Sequence, residues 1–197
     1  MKAIYLFITI LNLRGITESA SILAYPVYLF VFALFLLIGT GIFKSCTKLA
    51  SVTLSTSISI ISENTFENCI SLISFEIPNH ITSINNNAFY GSGLTSVIIP
   101  NTVKSMGTGV FKSCSKLEKV DLPTTLTTIP SKMFENCISL KEFIIHENIE
   151  SIGEGIFSGC TQLTKVVLSN KMTTISKSMF NGCVLLKKFN IPNHIQN

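Results

Sequence analysis

Residues 111–133 read FKSCSKLEKVDLPTTLTTIPSKM, and residues 134–156 read FENCISLKEFIIHENIESIGEGI. Laid one over the other, they match at the phenylalanine, at the cysteine three places on, and at the leucine three places after that. They match again at an alternating trio, Val120-Asp121-Leu122 against Phe143-Ile144-Ile145. Extended in both directions, the same spacing puts phenylalanine at Phe43, Phe66, Phe89, Phe111, Phe134, Phe157 and Phe180, at intervals of 23, 23, 22, 23, 23 and 23 residues. Self-similarity at such a period marks a repeat architecture and takes precedence over any local motif.

The other columns of the repeat are as regular. All six cysteines, Cys46, Cys69, Cys114, Cys137, Cys160 and Cys183, lie three residues after one of these phenylalanines. Ser92 takes that place in the one short unit, within Gly91-Ser92-Gly93. Leucine follows at Leu49, Leu72, Leu94, Leu117, Leu140, Leu163 and Leu186, and proline closes the trio at Pro78, Pro100, Pro123 and Pro192. The stretch from leucine to proline alternates with period two, which predicts a short strand with one buried face. Proline lacks a backbone donor and stops the ladder there. A unit has about seven inward apolar side chains, each worth roughly 1.5–3 kcal/mol on burial. Ordering 23 residues opposes that gain, so units must stack to be stable. The expected fold is a mostly β repeat solenoid with one short parallel strand per 23-residue repeat. Those strands are expected around Leu49–Leu54, Leu72–Ile77, Leu94–Ile99 and their successors.

The unit resembles the BspA-type leucine-rich repeat, on Asn87-Ala88-Phe89, Ile152-Gly153 and Phe134-Glu135-Asn136-Cys137. The resemblance covers about residues 38–197, some six and a half repeats. It implies a curved, right-handed leucine-rich-repeat coil of the α/β repeat class used for protein–protein contacts, often on the surface of host-associated microbes and protists.

Residues 1–37 form a separate apolar leader. Residues 20–38 would make a helix about 28 Å long, just enough for a bilayer core. Ahead of them, Met1-Lys2 and an apolar run to Leu13 look like a short signal peptide. A signal anchor or transmembrane helix, a cleaved signal peptide, and a degenerate or artefactual leader all fit. They imply a membrane-anchored, cell-surface or secreted protein in the first two cases, and a cytoplasmic scaffold in the third. Fifteen asparagines without one N-x-S/T sequon favour the cytoplasmic alternative.

Composition narrows the chemistry. The net charge is +4, with Arg14 the sole arginine and Asp121 the sole aspartate, so bidentate phosphate recognition is poorly supplied. No basic run interleaves with aromatics, and no nucleic-acid partner is expected. The cysteines share one inward position and are expected as reduced, buried thiols, although neighbouring coils could come within bridging range. His80, His146 and His194 fall in loops on separate coils. No catalytic set, cofactor motif or metal cluster can be assembled, so the chain is expected to be no enzyme and to need no cofactor.

What varies is the outward face of the strands. One column holds Thr53, Glu76, Ile98, Asp121, Ile144, Val167 and Asn190; the next holds Ser51, Ser74, Ser96, Lys119, Glu142, Lys165 and Lys188. Exposed aliphatics not needed by the core mark a candidate partner-binding strip at Ile98, Asp121, Ile144 and Val167, with Lys165 and Lys188 alongside. The expected partner is a protein.

Overall fold

The computed structural model describes residues 41–187 together with Ile191 and Ile195. The leader, Lys188 and Asn190 lie outside the described residues, as do His194 and the proposed span at 20–38. No helix among the described residues is long and apolar enough to cross a membrane.

The described residues wind as a mostly β solenoid with parallel strands, and no helix occurs among them. Its strands are Ile60–Ile61 (β1), Ser83–Ile84 (β2), Ser96–Ile98 (β3), Ser105–Met106 (β4), Lys119–Asp121 (β5), Thr128–Ile129 (β6), Glu142–Ile144 (β7), Ser151–Ile152 (β8) and Lys165–Val167 (β9). Two faces of the coil carry them. Strands β3–β5 and β7–β9 pair in parallel on the face predicted from the leucine-to-proline alternation. Strands β1–β2–β4 and β6–β8 form a second, shorter parallel ladder.

Two expected strands are corrected. Leu49–Leu54 and Leu72–Ile77 pass through the corresponding part of the coil without joining a ladder. In the first of these, Val52 and Leu54 are only half-buried, so less packing holds the segment in register.

The core follows the repeat. Successive phenylalanine rings stack at 5.5, 5.2, 5.6, 6.0, 5.8 and 5.9 Å from Phe43 to Phe180. Phe75 and Phe143 lean across the stack from the strand side, the latter 4.9 Å from Phe134. A backbone ladder runs beside the rings: Phe66 N donates to the Ala88 carbonyl at 2.7 Å, Phe111 N to Met133 at 3.1 Å and Phe134 N to Ile156 at 3.0 Å.

The turns around each phenylalanine need left-handed backbone. Two residues before the ring stand Gly41, Asn64, Asn87, Gly109, Lys132, Gly155 and Ser178, all with φ between 52° and 67°. Two residues after it stand Ser45, Asn68, Gly91, Ser113, Asn136, Gly159 and Gly182, with φ from 58° to 76°. Glycine and asparagine tolerate this region best, which explains their recurrence at both places. Glycine has a second use at Gly153, where a Cβ would collide with the backbone of Ser131 on the preceding coil.

The cysteines are free thiols. Each of Cys69, Cys114, Cys137, Cys160 and Cys183 donates from Sγ to the carbonyl of the phenylalanine one coil back, at 3.0–3.1 Å. That bond satisfies the polar atom inside an apolar stack. Burial pushes the thiols up, Cys69 and Cys160 to about 12 and Cys114 to about 11. One cysteine departs from expectation: Cys183 is half-buried rather than buried, because it belongs to the last described coil and no described coil stacks beyond it.

Candidate functional site

The strand face supplies the strip because period-two alternation leaves every second side chain outside. In β3, β7 and β9 the middle residue is buried and both neighbours are exposed. Ile98 is 70% exposed, Ile144 68% and Val167 42%. Register brings Ile144 opposite Val167 and Ile98 opposite Asp121, with strands about 4.8 Å apart. The strip therefore consists of an aliphatic pair, Ile144 and Val167, and a mixed pair, Ile98 and Asp121.

Its charges are largely answered within the face. Lys119 Nζ lies 3.0 Å from Asp121 Oδ2 on the same strand, and Lys165 Nζ lies 3.8 Å from Glu142 Oε2 on the neighbouring one. Asp121 is half-buried as a residue, with its side chain 46% exposed. Pairs this exposed add little stability. Glu142 beside Lys165 weakens the positive field that Lys165 would otherwise project from the strand face. The Lys119–Asp121 pairing was not anticipated; its signal was the separation by two residues on one strand face.

Other candidate chemistry does not converge. Among the described residues, no three His, Cys, Asp or Glu side chains are placed to hold a metal ion. His80 and His146 are half-buried on different coils, and each has its Nε2 buried with no hydrogen-bond partner among the described residues. An open groove beside Ile98 is lined by His80, Pro100, Asn101, Thr102 and Lys104. It contains no nucleophile paired with a base.

The BspA type leucine rich repeat region matches in six copies, over residues 35–93 and 82–197. Among solved structures, a leucine-rich repeat protein from Eubacterium ventriosum shares 24% identity and superposes with a TM-score of 0.66. The match covers 72% of this chain and 39% of that one. The pneumococcal vaccine antigen PcpA shares 16% identity with a TM-score of 0.51, over 75% of this chain and 52% of its own. These likenesses show the fold. A 42-residue stretch, 21% of this chain, is 71% identical to the potassium transporter KimA of Bacillus subtilis, of which it spans 7%. The chain thus spans well under two thirds of each of these proteins.

Proposed function

Since the chain belongs to the BspA-type leucine-rich repeat family, we propose that it is a non-catalytic recognition module that binds a protein partner on its strand face. The family and fold are those of protein-interaction modules. The observation that carries the proposal is the exposure of Ile98, Ile144 and Val167 on a face whose inward residues already fill the core. Aliphatic side chains left in water at 70%, 68% and 42% exposure are of no use to folding and suit a dry contact. Ile144 and Val167 supply the central contact, with Asp121 and Ile98 continuing it one and two units back. Lys165, and Lys188 in the same column, steer association.

The partner meets the strip at a membrane or cell surface, a location supported by the apolar leader and by the repeat class. Carbonate extraction of fractionated cells tests it: release of the native chain into the soluble fraction would favour the intracellular scaffold instead.

The double substitution Ile144→Lys with Val167→Lys tests the face. The melting temperature should stay within about 2 °C, because neither side chain is packed inside. Recovery of the partner captured by the wild-type chain should fall at least about tenfold. Lys112→Glu, on the phenylalanine-bearing side where Lys112 pairs with Glu135 at 3.1 Å, should leave capture unchanged. Loss of capture only with Lys112→Glu would move the site to the other side.

A further inference from the structure

The turn after each phenylalanine is tied to the next coil by one recurring hydrogen bond. The N–H two residues past a ring donates to the carbonyl one residue past the ring on the following coil. The series runs from Ser45 N to Glu67 O through to Gly159 N to Asn181 O, always at 2.7–2.8 Å. Gly182 holds that place on the last described coil, and its N–H meets no carbonyl among the described residues. A nitrogen held in the ladder must first break its bond before it can react, whereas this one is already free.

The residue before it carries an electrophile. Asn181-Gly182 is the sole Asn-Gly pair in the sequence, and both residues are exposed. The main chain of Asn181 is held, its N donating to Ser178 O at 3.2 Å and its O accepting from Gly159 N at 2.7 Å. Its carboxamide makes no hydrogen bond among the described residues.

Elsewhere one of the two conditions fails. Asn68, Asn136 and Asn148 precede amides that donate to Phe66 O, Phe134 O and His146 O. Asn79, Asn85 and Asn101 precede amides with no bond among the described residues, but these belong to His80, Asn86 and Thr102. Their side chains crowd the approach of the nitrogen, which glycine leaves open.

We propose that Asn181 is a site of spontaneous deamidation, with the Gly182 nitrogen as the attacking group. That nitrogen loses its proton to hydroxide and bonds to Asn181 Cγ within the same chain, where proximity favours the ring closure. The Cγ–Nδ2 bond breaks, and Nδ2 takes up a proton and leaves as ammonia. Water then opens the cyclic imide at one carbonyl or the other, giving aspartate or isoaspartate. Either product places a carboxylate in the column that holds Glu67 and Glu135. Those two pair with a lysine one coil back, Lys44 at 2.9 Å and Lys112 at 3.1 Å, but Ser158 stands one coil back from position 181. The isoaspartate product also reroutes the main chain through the side chain, which disrupts the bond from Gly159 N and loosens the end coil.

Peptide mapping by mass spectrometry, on the full chain held folded at mildly alkaline pH, tests it. Position 181 should convert at least about tenfold faster than Asn79, Asn101 and Asn136. Its rate in the folded chain should stay within about threefold of its rate in urea, because the fold does not tie the nitrogen. Gly182→Ser should slow it about tenfold; Ser45 and Ser113 show that serine fits this turn, both at φ 60°. Ser158→Asn gives the preceding coil the same Phe-Asn-Gly-Cys sequence, with Gly159 N tied to Asn181 O. Position 158 should then match position 181 in urea and react at least about tenfold more slowly when folded. Equal rates at 158 and 181 in the folded chain would overturn the proposal, as would protection of position 181 by folding to the level of Asn136.

Discussion

Phe134→Ala is expected to lower the stability of the solenoid by about 3–5 kcal/mol, the cost of removing a fully packed aromatic ring. The ring is wholly buried and stacks between Phe111 at 6.0 Å and Phe157 at 5.8 Å, with Phe143 leaning on it at 4.9 Å. Its loss therefore opens a cavity that three other rings line and none can fill without leaving its own stack. In a repeat protein each unit is held chiefly by its neighbours, so a break in the middle separates two short arrays that must each survive alone. Phe43→Ala is the informative comparison: that ring stacks at 5.5 Å on Phe66 at the edge of the described array. Its removal should cost less than half as much. Urea unfolding of both variants measures the difference, and equal losses would mean that the rings do not act as a stacked column.

The second large effect is alkaline unfolding. The thiols ionise near 9 when unperturbed, but burial holds Cys114 to about 11 and Cys69 and Cys160 to about 12, and Cys137 well above its ordinary value. Above pH 9 the unfolded chain gives up these protons while the folded chain keeps them. Stability is therefore fully present below about pH 8.5 and lost as the pH rises towards 11–12. Each pH unit in that window costs up to about 1.4 kcal/mol per buried thiol. Four such thiols together reach the roughly 5–15 kcal/mol stability of an ordinary domain within about two pH units. Under reducing conditions the melting temperature should fall steeply between pH 9 and 10.5. Cys137→Ala should make that fall shallower, even though it lowers stability at pH 7. A flat profile to pH 10.5 would show that the thiols are not confined as the structure places them.

The core was legible because it repeats. A phenylalanine every 23 residues, with cysteine and leucine at fixed offsets, admits one arrangement that buries all three, and the rings, thiols and leucines from Phe66 to Leu163 are wholly buried together. Strands β3, β5, β7 and β9 were legible from alternation. The second ladder was not, because its units are only two residues long, too short for alternation to show. Its sign is a recurrent isoleucine, at Ile61, Ile84, Ile129 and Ile152. The left-handed columns were also missed. Their sign was composition, glycine and asparagine recurring two places either side of the ring, with Lys132 the least accommodating occupant.

The candidate strip divides in the same way. That Ile98, Ile144 and Val167 face outward follows from period two alone. The pairing of Asp121 with Lys119 had a signal in their two-residue separation on one strand face, but whether two such side chains meet depends on their rotamers, which spacing alone does not fix.

The most direct measurement of the central claim is a hydroxyl-radical footprint of the chain, free and with its captured partner bound. Oxidation at Ile98, Ile144 and Val167 should fall on binding, while the exposed Ile70 and Ile138, outside the strand column, and the pair Lys112 and Glu135 keep their free-state labelling. Protection around Lys112 and Glu135 with Ile144 and Val167 still fully labelled would contradict the claim that the strand face is the binding surface.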